Sequence, residues 1–152
     1  MTPEIKKCTE NMLIQSVVLK NLIINFHDDI DGDAFNDEFL EHSQDLRYLK
    51  MTKQVELQEN EKWLYRLYAV IGIRFLSQES PEESDEAVEP MLEIKSEFVA
   101  QYESSCELTD EELNLFGQKH VYYHVWPYWR EVLQSSCARI GISPIIIPPF
   151  RV

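Results

Sequence analysis

His120 and His124 stand four residues apart, a spacing that puts two imidazoles on one helix face, as zinc ligands require. No HExxH pattern accompanies them and no third ligand is adjacent, so packed or surface histidines are the expectation. Asp29, Asp31 and Asp33 alternate like the first ligands of a calcium loop, but the sixth position is Ala34 and the twelfth Leu40. Such a loop needs Gly for its sharp turn and Glu for its bidentate ligand. Cys137 lies on an apolar helical stripe, where an inert buried thiol is the ordinary state. Cys8, Cys106 and Cys137 are spaced by 98 and 31 residues, which fits neither a disulfide framework nor a zinc set. With four glycines there is no phosphate-cradling loop. The chain therefore reads as a non-enzyme, with no catalytic residue, no metal site and no cofactor.

Aromatic density is the unusual feature, because Tyr122, Tyr123, Trp126, Tyr128 and Trp129 all fall between Val121 and Trp129. Aromatic rings offer large, rigid contact area at low entropic cost, which suits a binding surface. Taken by themselves, they read first as core or oligomer interface.

The elements that must position these rings follow from patterning. In 152 residues, 44% apolar and 27% charged, there is material for one folded domain. Fourteen Lys and Arg against 27 Asp and Glu give a net charge of −13, which argues against partners rich in phosphate, nucleic acid or anionic membrane. No stretch approaches the roughly 18 apolar residues of a membrane span. A soluble cytoplasmic chain without a signal peptide is expected. Eight carboxylates fall in Asp28 to Asp45 and seven in Glu79 to Glu93, with no Lys or Arg in either window. Both read as hydrated surface connections.

Residues 13–26 are dense in Ile, Val and Leu. Strict alternation puts Val17, Leu19, Asn21, Ile23 and Asn25 on one face of a strand and Ile14, Ser16, Val18, Lys20, Leu22, Ile24 and Phe26 on the other, with a bend near Lys20 and Asn21. Apolar residues on both faces predict burial by the fold on one side and by the fold or a partner chain on the other. Alternation also predicts strands over 48–57, 63–76 and 91–102, with a polar turn at 58–62, as a four-stranded antiparallel meander. Thr109 and Glu112 match a capping box before a short helix, 110–116. Pro127, placed in a first helical turn, and Gly141, placed just past a helix end, bracket the main helix, 127–140. Residues 142–150 carry Pro144, Pro148 and Pro149 and should run extended along apolar surface. The fold class is α+β, a sheet with a long C-terminal helix packed on it.

Trp126-Pro127-Tyr128-Trp129-Arg130-Glu131, followed by Cys137-Ala138-Arg139-Ile140-Gly141 and Pro144 to Phe150, resembles the export chaperone SecB. SecB-type chains carry an aromatic-Pro-Tyr-x-Arg-Glu helix start, a small-x-Arg-x-Gly stretch and a Pro-rich segment. The run from Ile14-Gln15 through Lys20-Asn21-Leu22-Ile23-Ile24 is similar to the first strand of that family. The resemblance spans about Leu13 to Phe150. It implies a homotetramer built as a dimer of dimers, without ATP, holding unfolded client chains in long apolar grooves. Export-type SecB continues into a second helix and a tail that docks on the SecA ATPase, whereas this chain stops at Val152. SecA docking is accordingly doubtful, and the chain looks more like the SecB-like chaperones encoded with toxin–antitoxin pairs, whose client is an antitoxin extension.

By that resemblance the client groove lies between the main helix and the segment joining the first two strands. Phe35, Phe39, Leu40 and Leu46, with Tyr48, Tyr122, Tyr123, Trp126 and Trp129, are its candidate residues. Pro127, Tyr128, Arg130, Glu131, Arg139 and Gly141 belong to the motif and read as structural. A general export chaperone is the alternative within the class. An acidic inhibitor or immunity-type protein that caps one basic folded partner through the two acidic windows is the alternative outside it.

Overall fold

The computed structural model describes residues 2–35, 37–57, 61–76 and 89–151, with side chains except those of 51–57. Residues 58–60 of the predicted 58–62 turn and most of the second acidic window therefore lie outside the described residues.

The order of elements is α1 (Pro3–Asn11), β1 (Met12–Phe26), two short 3-10 turns (Gly32–Ala34 and Asp37–Glu41), β2 (Ser43–Leu57), β3 (Trp63–Phe75), β4 (Leu92–Ser104), α2 (Asp110–Phe116), a π-helical turn (Gly117–Val121), α3 (Tyr122–Ile140) and an extended tail. Helix α1 was not foreseen. Thr2 caps it, its hydroxyl accepting from the Ile5 N–H at 3.3 Å, and Pro3 occupies the first turn, where a missing N–H costs nothing. Lys7 ties this helix to α2 through Glu112 at 2.9 Å.

All strand pairs are antiparallel, but the sheet order is β1-β4-β3-β2. The four-stranded meander is thus corrected. Strands β2, β3 and β4 form a meander, while β1 joins its far edge beside β4, a Greek-key arrangement. Residues 27–42 carry the chain across from β1 to β2 at the opposite edge. Gly32 permits this crossing to press on the end of α3, since a Cβ there would overlap the Ile140 carbonyl.

The register of β1 corrects its predicted faces. Pairing with β4 skips Gln15 and Lys20, each an extra residue against a continuous partner, and a bulge of this kind inverts the alternation. Ile14, Val17, Leu19, Leu22, Ile24 and Phe26 therefore share the face of Tyr102, Ala100, Phe98, Ser96, Ile94 and Leu92, while Leu13, Ser16, Val18, Asn21 and Ile23 turn the other way. The inner face becomes wholly apolar. As an edge strand β1 is nevertheless widely exposed, Leu13 at 68% and Val18 at 56%.

Strand β2 begins at Ser43, earlier than the apolar pattern suggested, because an edge strand accommodates Gln44 and Asp45 with one side wet. Helix α3 begins at Tyr122, so Pro127 sits inside it and not in its first turn. The π-helical turn joins α2 to α3 without a break, which removes the helix start that Pro127 would have marked. The Tyr123 carbonyl loses its usual helical donor there. Gly141, at φ 77°, ends the helix in the left-handed conformation, and the Ile142 N–H returns to the Cys137 carbonyl at 3.1 Å.

The core lies between the inner sheet face and the helices. Tyr65, Leu67, Ile94, Phe98 and Tyr102 meet Leu113, Phe116, Val125, Trp129 and Leu133 there, and each large side chain so buried contributes about 1.5–3 kcal/mol. The capping box holds as the sequence indicated, with Glu112 N–H donating to Thr109 Oγ1 at 3.2 Å and Thr109 N–H to Glu112 Oε1 at 3.0 Å.

Candidate client groove beside the C-terminal helix

Helical spacing puts Tyr122, Trp126 and Trp129 on neighbouring positions of the α3 side that faces β2 and the tail. Trp126 is half-buried and its indole N–H donates to the Pro148 carbonyl at 2.6 Å. The ring of Phe150 lies 5.3 Å from that of Trp126 and 6.2 Å from that of Tyr122. From β2, the Arg47 guanidinium stacks over both Tyr122 and Phe150, at 5.2 and 4.9 Å. A cavity of about 450 Å³ opens beside these groups, lined in part by Arg47, Ile71, Ile73, Trp126, Trp129 and Pro148. A shallower concavity continues from Arg47, Trp126 and Phe150 toward Gln118 and Lys119. The Tyr122 hydroxyl is buried without a hydrogen-bond partner among the described residues, and burial pushes its pKa up to about 12. At ordinary pH it is a neutral donor without an acceptor.

Of the other candidate residues Leu46 also borders this cavity, and the rest fall elsewhere. Phe35 is buried in an aromatic cluster with Phe26, Phe39 and Phe75, at 6.1, 5.4 and 5.9 Å. Phe39 and Leu40 pack against the core from the crossing segment. Leu46 and Tyr48 pair with Gly72 and Val70, so they share the sheet face opposite to that of Arg47. Both are exposed there. Tyr123 and Tyr128 are exposed on the outer side of α3. Trp129 is 2% exposed, chiefly a core residue with one edge on the cavity. Among the motif residues Pro127, Glu131 and Arg139 are exposed, while Arg130 Nε is buried without an acceptor among the described residues.

The histidine pair does not converge on one point. His124 Nδ1 lies 2.8 Å from the hydroxyl of buried Tyr102, whereas His120 stacks on Phe116 at 5.1 Å. Burial lowers the pKa of both. Cys137 is buried, and desolvation raises the pKa of its thiol, which opposes nucleophilic use. Sequence reasoning missed Arg47 and the tail's Pro148 and Phe150 as wall residues. The available signal was a Pro-Pro-Phe run of fixed backbone close behind an aromatic helix.

No protein-family model and no curated protein matches the chain. Among solved structures the fold is similar to that of the Mycobacterium tuberculosis Rv1957 SecB-like chaperone, solved in complex with a ChAD peptide from the Rv1956 HigA1 antitoxin. The TM-score is 0.67 over 99% of both chains, at 13% sequence identity. The four antiparallel strands, the helix packed across them and the near-complete mutual coverage give this chain the fold of the SecB-like chaperones.

Proposed function

We propose that the protein is an ATP-independent holdase that captures unfolded or aggregation-prone polypeptide in the aromatic groove beside α3, and that its client is an antitoxin, so that it governs a toxin–antitoxin pair. The observation that carries this reading is a SecB-like fold whose helix sets Trp126 and Trp129, with Arg47 from β2, along an open concavity. A holdase needs no catalytic group, because removing unfolded chains from the free pool shifts mass action away from aggregation. Trp126 and the cavity-side edge of Trp129 are the client-facing residues of this proposal, with Tyr122 buried behind them against Phe150 and Arg47. The antitoxin client is suggested by the peptide bound to the Mycobacterium tuberculosis neighbour.

A homotetramer belongs to the same proposal. Edge strand β1 is 15 residues long and exposes Leu13, Val18 and Ile23, and an uncovered apolar edge of that length invites pairing with another chain. A cytoplasmic setting suits three unpaired cysteines. The test is light-scattering suppression of a denatured, aggregating protein at low and high salt, with mass read by size exclusion. Suppression that survives salt, from a species near four times 18.0 kDa, supports the proposal. No suppression by a folded monomer defeats it and favours the acidic inhibitor, whose binding would fall steeply with salt.

A further inference from the structure

Part of the proposed groove is already filled by the chain's own tail. Ile145 is buried, and Ile147 and Phe150 pack against the core. Beyond Ile147 one polar contact remains among the described residues, the Trp126 indole N–H to the Pro148 carbonyl at 2.6 Å. The rest is ring area, with Phe150 against Trp126, Tyr122 and Arg47. Pro148 and Pro149 have no N–H, so the segment is poor in donors and meets the helix through the Pro148 carbonyl. Their fixed backbone lowers the entropic cost of docking, yet both prolines stay exposed. Contacts of this kind do not depend on which chain supplies them.

We propose that Trp126, Tyr122 and Arg47 form a subsite for an extended, donor-poor aliphatic segment with an aromatic ring two residues past an accepted carbonyl, and that Pro148–Phe150 is an internal competitor which a client must displace. The inference rests on the holdase reading and adds to it the chemistry of the client segment and a self-occupied state. A tail docked in all but about one molecule in ten lowers apparent client affinity about tenfold.

The probe is reduced, carboxymethylated lactalbumin carrying fluorescein, its binding to the full chain and to Phe150→Ala read by anisotropy. The variant is expected to bind about tenfold tighter. The synthetic peptide ISPIIIPPFRV, the sequence of residues 142–152, is expected to displace the probe from the wild type, and the same peptide with Ala for Phe to need about tenfold more. Equal or weaker binding by a folded Phe150→Ala, or failure of the peptide to displace bound probe, overturns the tail's role while leaving the holdase standing. Probe bound by neither protein overturns both. If Phe150→Ala does not fold, the two peptides on the wild type decide alone.

Discussion

At Trp126 a ring and a single N–H do separate jobs. Trp126→Phe keeps most of the ring and loses the donor to Pro148, so it is expected to destabilise the fold by about 1 kcal/mol, measured as a shift of the urea midpoint. Trp126→Ala removes the wall as well and is expected, on the proposed function, to weaken capture of unfolded protein while leaving the elution volume unchanged; an elution volume moved toward lower mass would make Trp126 an interface residue. His124 gives a second handle. Burial holds its folded pKa below the ordinary 6.5, so below that value the unfolded chain binds more protons than the folded one. Stability is fully present above about pH 6.5 and declines as pH falls toward the depressed folded pKa. His120 titrates in the same direction. Urea midpoints between pH 7.5 and 5.5 should therefore flatten in His124→Gln and further in the double variant with His120→Gln. A slope unchanged in the double variant would exclude the pair.

At the scale of elements, local pattern was legible wherever one chemical rule acted alone. The capping box at Thr109 and Glu112 and the glycine stop at Gly141 need only a few adjacent residues, and both stand where the sequence placed them. The start of α3 needed a non-local fact, namely that Gly117–Val121 could bridge two helices with a wider turn. The faces of β1 needed its partner's register, since no side-chain pattern marks Gln15 and Lys20 as surplus. Among the groove candidates, Trp126 and Tyr122 came from aromatic density on a helix, whereas Tyr48 does not join them because Arg47, next to it, takes the inner face, and Leu46 borders the cavity although its pairing turns its side chain to the opposite sheet face. Period alone gives alternation and leaves open which phase faces inward. The crossing segment supplies a further test. Gly32→Ala would drive a methyl into the Ile140 backbone, an overpacking expected to cost about 1–3 kcal/mol by chemical denaturation.

For the whole molecule, charge and apolar surface are partitioned. The exposed acids of 28–45 surround the crossing, while the outer side of β1 offers apolar side chains with Lys20 bridged to Glu97 at 3.5 Å. Self-association, if it follows this edge, is expected to break in Val18→Lys, with elution moving to a monomer of 18.0 kDa and far-UV circular dichroism retained; an unmoved elution volume would place the interface elsewhere. The overall fold was largely readable because a sheet-and-helix core announces itself by hydrophobic period. Strand order was not, because β1 could have met either edge of the meander, and only the crossing at residues 27–42 decides between them.

The two bulges of β1 also bear on how this chain could change length. Thirteen of its fifteen residues have partners on β4, and Gln15 and Lys20 are the remainder. Excision of either would close the ladder over the gap and leave every other partner, and every inward side chain, where it was. What would be lost is local bend, with the Gln15 contact to Glu103 or the Lys20 bridge to Glu97. Excision of any residue between them would instead slip the pairing and turn apolar side chains outward. Natural variants one or two residues shorter in this strand should carry their gaps at those two positions, making an edge of the sheet a place where descent can add or drop residues without rebuilding the core.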